Sequence, residues 1–233
     1  KKAIREYRAA SPATLTHPYF KRKGITGGID GLGLRMRGDK LIIPMYHGNG
    51  QIISLQRIRP SGNKRYLAGA KTVGARLLIP GKGQTILTEG FATGWTLNQA
   101  TGQPVVVTFS AANLVTVAGE YPDAIIAADN DNAQKSNDYE EPDRRGTGHK
   151  KAFKTGLPVY MPPIAGMDFN DLGVGWTRHI LSGSPVTDRP VYRVSEIKDP
   201  VTRITRKITE TVDKCLAALG RTSDRDEAVR IAK

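Results

Sequence analysis

Five acidic residues of this sequence follow short apolar runs that read as buried strands. They are Glu89, Asp129, Asp131, Asp168 and Asp171. Buried strands of an α/β sheet end where a site can open, so carboxylates at those ends face a ligand and not the core. Several carboxylates brought together repel one another unless a cation lies between them, and ligand sets made only of oxygen favour Mg²⁺ or Mn²⁺. The pattern therefore predicts a metal site at the edge of an α/β sheet.

The spacing of these residues suits the chemistry of phosphate esters. Asp129 and Asp131 are two positions apart, and on an extended segment this puts both side chains on the same side. With Glu89 they could hold a divalent ion that stabilises the charge developing as a phosphodiester is made or broken. Asp168 and Asp171 could complete a second metal position, roughly 4 Å from the first. Each pair also has an interpretation without metal. Asp129 and Asp131 could be polar caps in a βα-loop, and Asp168 and Asp171 could form a helix N-cap.

An alternation of strands and helices would position the acidic residues. Segments with strand and helix character follow one another in the order β-α-β-α-β, over residues 85–88, 92–100, 104–109, 111–119 and 124–128. This order implies a parallel sheet with right-handed crossovers. A further strand is expected at 158–162 and a short helix around 176–181.

The N-terminal part of the chain has a different organisation. We expect a short helix within residues 1–20 and a β-hairpin over residues 39–59, with its turn at 47–50. The return strand alternates in its latter half, which predicts Ser54 and Gln56 near an exposed face, with Arg57 as a further candidate. This gives an α+β segment ahead of an α/β segment.

Positive charge is concentrated in the N-terminal part. Residues 1–88 hold 17 Lys and Arg residues against 3 Asp and Glu residues, whereas residues 89–233 hold 18 against 19. The whole excess of the net charge of +13 therefore lies before the first acidic motif. Such asymmetry favours a polyanion, and above all a nucleic acid, as the partner of this segment, over the alternative of a solvated basic surface.

Several function classes are excluded by composition. The single cysteine, Cys215, excludes a disulfide framework and a cysteine-ligated zinc site within this chain, and it fits a reducing setting. No apolar run approaches the length of a membrane span and no signal-peptide pattern opens the chain, so we expect a cytoplasmic location and no membrane partner. Because the sequence begins with Lys1, we expect it to be a fragment of a longer protein.

Two ordered sets of motifs resemble a known family. Ile86-Leu87-Thr88-Glu89-Gly90, followed by Ile125-Ile126-Ala127-Ala128-Asp129-Asn130-Asp131, resembles the Toprim fold of bacterial-type primases, topoisomerases and some nucleases. Residues 39–69 are similar to the basic N-terminal subdomain of DnaG-type primases of plasmids, phages and other mobile elements. Asp168-Phe169-Asn170-Asp171-Leu172 resembles the last acidic motif of that family. The resemblance covers roughly residues 17–180.

The resemblance implies roles for individual residues. Glu89, Asp129 and Asp131 would be catalytic and would bind Mg²⁺ or Mn²⁺, with help from Asp168 and Asp171. The residues expected to hold the template or the incoming nucleoside triphosphate are Arg57, Lys64, Arg65, Tyr66 and Lys71. The implied activity is that of a DNA primase, a DNA-directed RNA polymerase that makes short primers on single-stranded DNA in a bacterial host cell, with a replicative helicase as a further partner.

The sequence departs from the family pattern at two places. Many such primases carry another acidic residue four positions after the Glu, and here that position is Thr93. The loop from Asp131 to Gly146 is also longer than usual. The zinc-binding domain of the family would lie before Lys1.

Three segments follow from this interpretation. Residues 1–83 would be the basic subdomain, 84–183 the Toprim subdomain, and 184–233 a linker with C-terminal helices that begin at Asp199-Pro200. Two other functions remain open. One is a Toprim nuclease or topoisomerase fragment, and the other is a non-catalytic module that binds nucleic acid or a helicase.

Overall fold

The computed structural model describes residues 1–130, 146–164 and 166–186, which all fall within one compact unit. The predicted loop at 132–149 lies mostly outside these residues, and the predicted C-terminal helices lie wholly outside them. The helices of the described chain are α1 (Lys2–Arg8), α2 (Pro18–Arg22), α3 (Phe91–Thr101), α4 (Ala111–Ala118), α5 (Thr147–Phe153) and α6 (Phe169–Leu181). None of the helices in these ranges is long and apolar enough to cross a membrane.

The N-terminal sheet is antiparallel and has the strand order β1-β2-β3-β4-β5. Its strands are β1 (Ser11–Pro12), β2 (Arg35–Arg37), β3 (Lys40–Tyr46), β4 (Ile52–Ile58) and β5 (Lys64–Tyr66). Strands β3 and β4 confirm the predicted hairpin, since Leu41 pairs with Ile58 and Tyr46 pairs with Ile52 across the turn. Strand β5 is the edge of this sheet.

The prediction that Ser54 and Gln56 lie near an exposed face is wrong. Ser54 is 0% exposed and Gln56 is 5% exposed. Both faces of this sheet are covered, because α1 packs with Ile42 and Leu55 on one face while Leu41, Ile43 and Ile58 join the main core on the other. Alternation along a strand indicates a solvent face only when one side of the sheet stays open.

The second sheet carries the predicted parallel strands, in the order β10-β9-β7-β8-β6. Its strands are β6 (Leu77–Ile79), β7 (Ile86–Thr88), β8 (Val105–Val107), β9 (Ile125–Ala127) and β10 (Val159–Tyr160). Strand β7 lies between β8 and β9 and is parallel to both, which confirms the β-α-β-α-β segment. The sequence did not indicate β6, which pairs antiparallel with β8 and lies before residue 84.

One apolar core joins the two sheets. It includes residues of β3 and of α2 together with Ile86 and Val107 of the parallel sheet and Phe91 of α3. Helix α3 is buried nearly all round, and Gly94 lets it approach the sheet, because a Cβ there would lie 2.6 Å from Cγ2 of Val107. A second cluster fills the other face of the parallel sheet, under α4 and α5.

Helix α6 begins earlier than the sequence indicated and changes direction within its span. Its N-cap is Asp168, and Gly173 interrupts the helical geometry with φ of 75°, a value that favours glycine. The amide of Asn170 donates to the Lys23 carbonyl at 2.9 Å and to Oγ1 of Thr96 at 3.0 Å. These bonds fix the start of α6 against the N-terminal segment and α3.

Candidate active site

Glu89 and Asp129 are brought to the same edge of the parallel sheet. Glu89 follows β7 directly and Asp129 comes two residues after β9, and these strands are neighbours that run in the same direction. Both residues border a cavity of about 250 Å³. The residues lining this cavity are Gln56, Lys64, Arg65, Tyr66, Glu89, Gly90, Phe109 and Asp129.

The other wall of the cavity is basic and comes from β5. Lys64, Arg65 and Tyr66 make up this strand, and Tyr66 pairs with Gln56 of β4, which contributes a buried amide to the same cavity. Charged residues on an edge strand also protect it from pairing with other chains. The cavity is therefore bounded by carboxylates from one sheet and cations from the other.

Lys64 has an altered acidity. Its side chain keeps contact with solvent, but its ammonium group lies near the Tyr19 ring, with Nζ 5.9 Å from the ring centroid. Burial is the main cause that lowers the pKa of Lys64, and the positive charge of Lys23 acts in the same direction. The carboxylates of Asp168 and Asp129 oppose this by raising the pKa. These carboxylates are thus close enough to Lys64 to act on its charge.

Tyr66 connects the two walls. Its hydroxyl donates a hydrogen bond to the carbonyl of Phe109, two residues after the end of β8. Burial raises the pKa of Tyr66, a hydrogen bond from Gln56 lowers it, and the nearby charge of Glu89 raises it again. Tyr66, which is 41% exposed, thus bonds from the antiparallel sheet to the segment after β8 and lines the same cavity as Glu89.

Two of the predicted template or nucleotide ligands are not among the residues that line this cavity. The guanidinium of Arg57 binds Glu6 of α1 through two hydrogen bonds, one of them 2.6 Å from Nε to Oε1. Lys71 is exposed in the segment between β5 and β6. Their role in binding template or nucleotide stays a prediction.

Asp168 and Asp171 form a capping box at the start of α6. Oδ1 of Asp168 accepts from the Asp171 amide at 2.9 Å, and Oδ2 of Asp171 accepts from the Asp168 amide at 3.0 Å. Nζ of Lys23 lies 3.8 Å from Asp168 and 3.4 Å from Asp171. The N-cap alternative is therefore realised, and a contribution of these carboxylates to a metal site stays a prediction.

The donor set at the cavity fits a hard divalent cation. Glu89 and Asp129 bring carboxylates to its lining, and carboxylate oxygens are ligands that Mg²⁺ and Mn²⁺ prefer. Within residues 1–130, 146–164 and 166–186, no three His, Cys, Asp or Glu side chains come together as a complete set of metal ligands. Asp131, the third predicted ligand, lies outside these ranges.

The structure adds residues that the sequence did not single out for the site. Gln56 and Phe109 line the cavity. Asn130 is buried and fixes the segment after Asp129, since its amide donates to the Pro162 carbonyl at 2.8 Å and its backbone amide to the Met167 carbonyl at 3.0 Å. Thr93, where the family carries an acid, is buried in α3. The sequence signal that could have identified Asn130 is its position directly after Asp129, the carboxylate that follows β9.

A comparison with protein families supports this arrangement. The family model described as a Toprim domain matches residues 84–175. The matched span contains both acidic strand ends, Glu89 and Asp129, and the capping box of α6. The Toprim resemblance predicted from the sequence is confirmed over this span.

Two curated proteins from Escherichia coli, each named DNA primase TraC, are similar to this chain. One is 26% identical over 185 residues, which cover 69% of this chain and 17% of the relative. The other is 30% identical over 126 residues, which cover 49% of this chain and 9% of the relative. The chain therefore spans less than a fifth of the length of these relatives.

Solved structures similar to this chain include a primase polymerase domain. It is the RNA polymerase domain of Mycobacterium tuberculosis primase DnaG in complex with double-stranded DNA. The sequence identity is 14% and the TM-score is 0.48, with 96% of this chain and 92% of that chain covered.

Proposed function

We propose that this chain, which carries a Toprim domain at residues 84–175, is the catalytic core of a DNA primase and makes short RNA primers on single-stranded DNA. The observation that carries the proposal is the single cavity that Glu89, Asp129, Lys64 and Arg65 all line. Nucleotidyl transfer needs both kinds of group, because it brings anionic phosphates to a centre where further negative charge develops.

The acidic wall would hold one or two Mg²⁺ or Mn²⁺ ions. We assign Glu89, Asp129 and Asp131 as the ligands and Asp168 and Asp171 as residues that assist. A bound ion supplies Lewis-acid stabilisation of the charge on the phosphate oxygens and lowers the pKa of an attacking hydroxyl. Asp129 and Glu89 start from neighbouring parallel strands, so the backbone holds them in place without help from the ion.

The basic wall would hold the polyanions. Lys64 and Arg65 neutralise phosphate charge of the template strand or of the incoming nucleoside triphosphate, and Tyr66 offers an aromatic ring at the cavity. Arg57 and Lys71 would extend the basic surface outside the cavity. In the reaction, the 3′-hydroxyl of one nucleotide attacks the α-phosphate of the next, the bond to pyrophosphate breaks, and the hydroxyl proton passes to water.

The proposed partners follow from the activity. They are a single-stranded DNA template, nucleoside triphosphates and a replicative helicase that presents the template. The similarity to DNA primase TraC of Escherichia coli supports an origin in a plasmid or another mobile element, and we propose that the reaction takes place in the bacterial cytoplasm.

The test is primer synthesis by the 233-residue chain. The protein is incubated with single-stranded DNA of mixed sequence, labelled nucleoside triphosphates and Mn²⁺, and products are separated by size. We expect short oligoribonucleotides from the wild type and from Asp123→Ala, a control at an exposed carboxylate just before β9. Asp129→Ala should yield no product.

Two results would contradict the proposal. One is the absence of product with every template and with both metals. The other is equal product from Asp129→Ala and Asp123→Ala. Metal-dependent nicking of plasmid DNA without nucleotides would favour the nuclease alternative instead.

A further inference from the structure

The peptide of Phe109 links the two walls of the cavity. Its amide donates to the Glu89 carbonyl at 2.9 Å, one residue after the end of β7 and two residues after the end of β8. Its carbonyl accepts from the hydroxyl of Tyr66 on β5. One residue thus binds the acidic strand end on one side and the basic edge strand on the other.

Phe109 holds this position in an unfavourable backbone conformation. Its φ is 69°, and it is the one non-glycine residue with positive φ in the described part of the chain. A bulky L-residue adopts this region at an energetic cost, and such strain persists only where the surroundings over-determine the backbone. The side chain is 7% exposed and packs in the main core.

The surroundings of Phe109 supply that constraint. Asn113 donates from Nδ2 to the Thr108 carbonyl at 2.7 Å and accepts at Oδ1 from the Gly74 amide at 2.7 Å. The residue after Phe109, Ser110, caps α4 by accepting from the Asn113 amide at 3.2 Å. The turn is therefore fixed on both sides of Phe109, which leaves its carbonyl directed at Tyr66.

We propose that Tyr66 and Phe109 form an inter-sheet clasp, a hydrogen bond that sets the position of Lys64 and Arg65 relative to Glu89 and Asp129. Tyr66 acts as a positioning residue through its hydroxyl, apart from any stacking by its ring. The expected effect on catalysis rests on the proposed function. The expected link between the two sheets rests on the hydrogen bond alone.

The test compares Tyr66→Phe with Tyr7→Phe. Both changes remove a tyrosine hydroxyl that donates to a backbone carbonyl of a distant segment, since Tyr7 bonds to the Gly33 carbonyl at 2.8 Å, outside the lining of the cavity. The measurements are hydrogen exchange at the Phe109 amide and the steady-state kinetics of dinucleotide synthesis. A third protein carries p-aminophenylalanine at position 66, which restores a donor.

The clasp predicts a specific pattern. In Tyr66→Phe the Phe109 amide should exchange about tenfold faster, and kcat should fall about 10- to 100-fold, because a small displacement between reacting groups is costly. KM for the nucleotide should change by less than about threefold, since the hydroxyl binds no ground-state substrate. Tyr7→Phe should leave both quantities as in the wild type, and the donor-restoring protein should recover most of kcat.

Other outcomes overturn the clasp. Unchanged exchange at Phe109 in Tyr66→Phe would do so, and so would a rise in KM with constant kcat, which would make the hydroxyl a substrate ligand. If the wild type makes no dinucleotide, the proposed function fails, and the exchange comparison alone then decides whether the clasp exists.

Discussion

The two sheets supply site residues in different ways. In the parallel sheet, Glu89 and Asp129 follow the ends of β7 and β9, so the direction of the strands places them. In the antiparallel sheet, Lys64 and Arg65 lie on the edge strand β5, and a side-chain bond from Tyr66 to Phe109 connects that edge to the rest of the cavity. We therefore expect a large loss of primer synthesis when a residue of the acidic wall is altered, and smaller, graded losses of function when a residue of the basic wall is altered.

The largest effect is expected at Glu89. Glu89→Gln keeps the size of the side chain but removes the charge, so primer synthesis should fall about 100- to 1,000-fold, because charge stabilisation at the phosphate centre is lost. The free energy of unfolding should change by less than about 1 kcal/mol, since the fold rests on the buried residues of β7 and α3. Primer assays and urea denaturation measure the two quantities. A large loss of stability in Glu89→Gln would show that Glu89 stabilises the fold, which would contradict a role confined to the site.

A graded effect is expected at Arg65. Arg65→Ala should weaken binding of single-stranded DNA, and the slope of log affinity against log salt should become shallower by about 0.7, the value for one lost phosphate contact on a single strand. Lys82→Ala removes an exposed cation that does not line the cavity and serves as the control. Fluorescence anisotropy over a salt series gives both slopes. Equal slopes for Arg65→Ala and the wild type would show that Arg65 makes no phosphate contact with the DNA.

The acidic strand ends could be predicted from the sequence because local patterns determine them. Short apolar runs followed by Glu89 or Asp129, with helical segments between them, define a parallel sheet and the edge at which the carboxylates meet. The hairpin of β3 and β4 was equally clear from its turn residues. These features depend on residues that are close in sequence.

The basic wall could be predicted only in part, because tertiary contacts determine it. The binding of Arg57 to Glu6 joins residues 51 positions apart, and Gln56 is buried on the face of the sheet that meets the shared core. The role of Phe109 depends on a positive φ that no residue type in its neighbourhood indicated. Strand β6 is short and lies outside the alternation of strands and helices that revealed β7, β8 and β9, so the sequence did not indicate it.

A smaller effect distinguishes the two roles of Asp168. Asn is as good an N-cap as Asp, so Asp168→Asn should keep the stability within about 0.5 kcal/mol, whereas Asp168→Ala should lose about 1 kcal/mol. If the carboxylate assists the metal, primer synthesis should fall about tenfold in both variants. Thermal unfolding and primer assays separate the effects. Full activity in Asp168→Asn would limit Asp168 to capping α6.

The smallest effect on activity is expected at Glu6, on the far side of the antiparallel sheet. The hydrogen bond from Arg57 is the main cause that lowers the pKa of the Glu6 carboxyl from its ordinary value of 4.5. A group whose pKa is depressed in the folded state stabilises the fold above its unfolded pKa, and this contribution is lost as the pH falls through the folded pKa. Glu6→Gln should therefore be less stable than the wild type at pH 7 by about 1–3 kcal/mol.

The difference at Glu6 should depend on pH. Denaturation at several pH values should give a constant gap between wild type and Glu6→Gln above about pH 4.5, and the gap should shrink below that value. Primer synthesis at neutral pH should be nearly unchanged, because Glu6 does not line the cavity. A gap that widens on acidification would contradict the assignment of the ion pair.

The most direct measurement of the central claim, that one metal position lies between an acidic and a basic wall, is cleavage of the protein by bound iron. Fe²⁺ replaces Mg²⁺ in the full chain, ascorbate and peroxide are added, and cut sites are mapped by mass spectrometry. The account predicts cuts in both walls, near residues 64–66 and near residues 89–90 and 128–130, and their loss in Glu89→Gln. Cuts confined to the parallel sheet, or an unchanged pattern in Glu89→Gln, would contradict it.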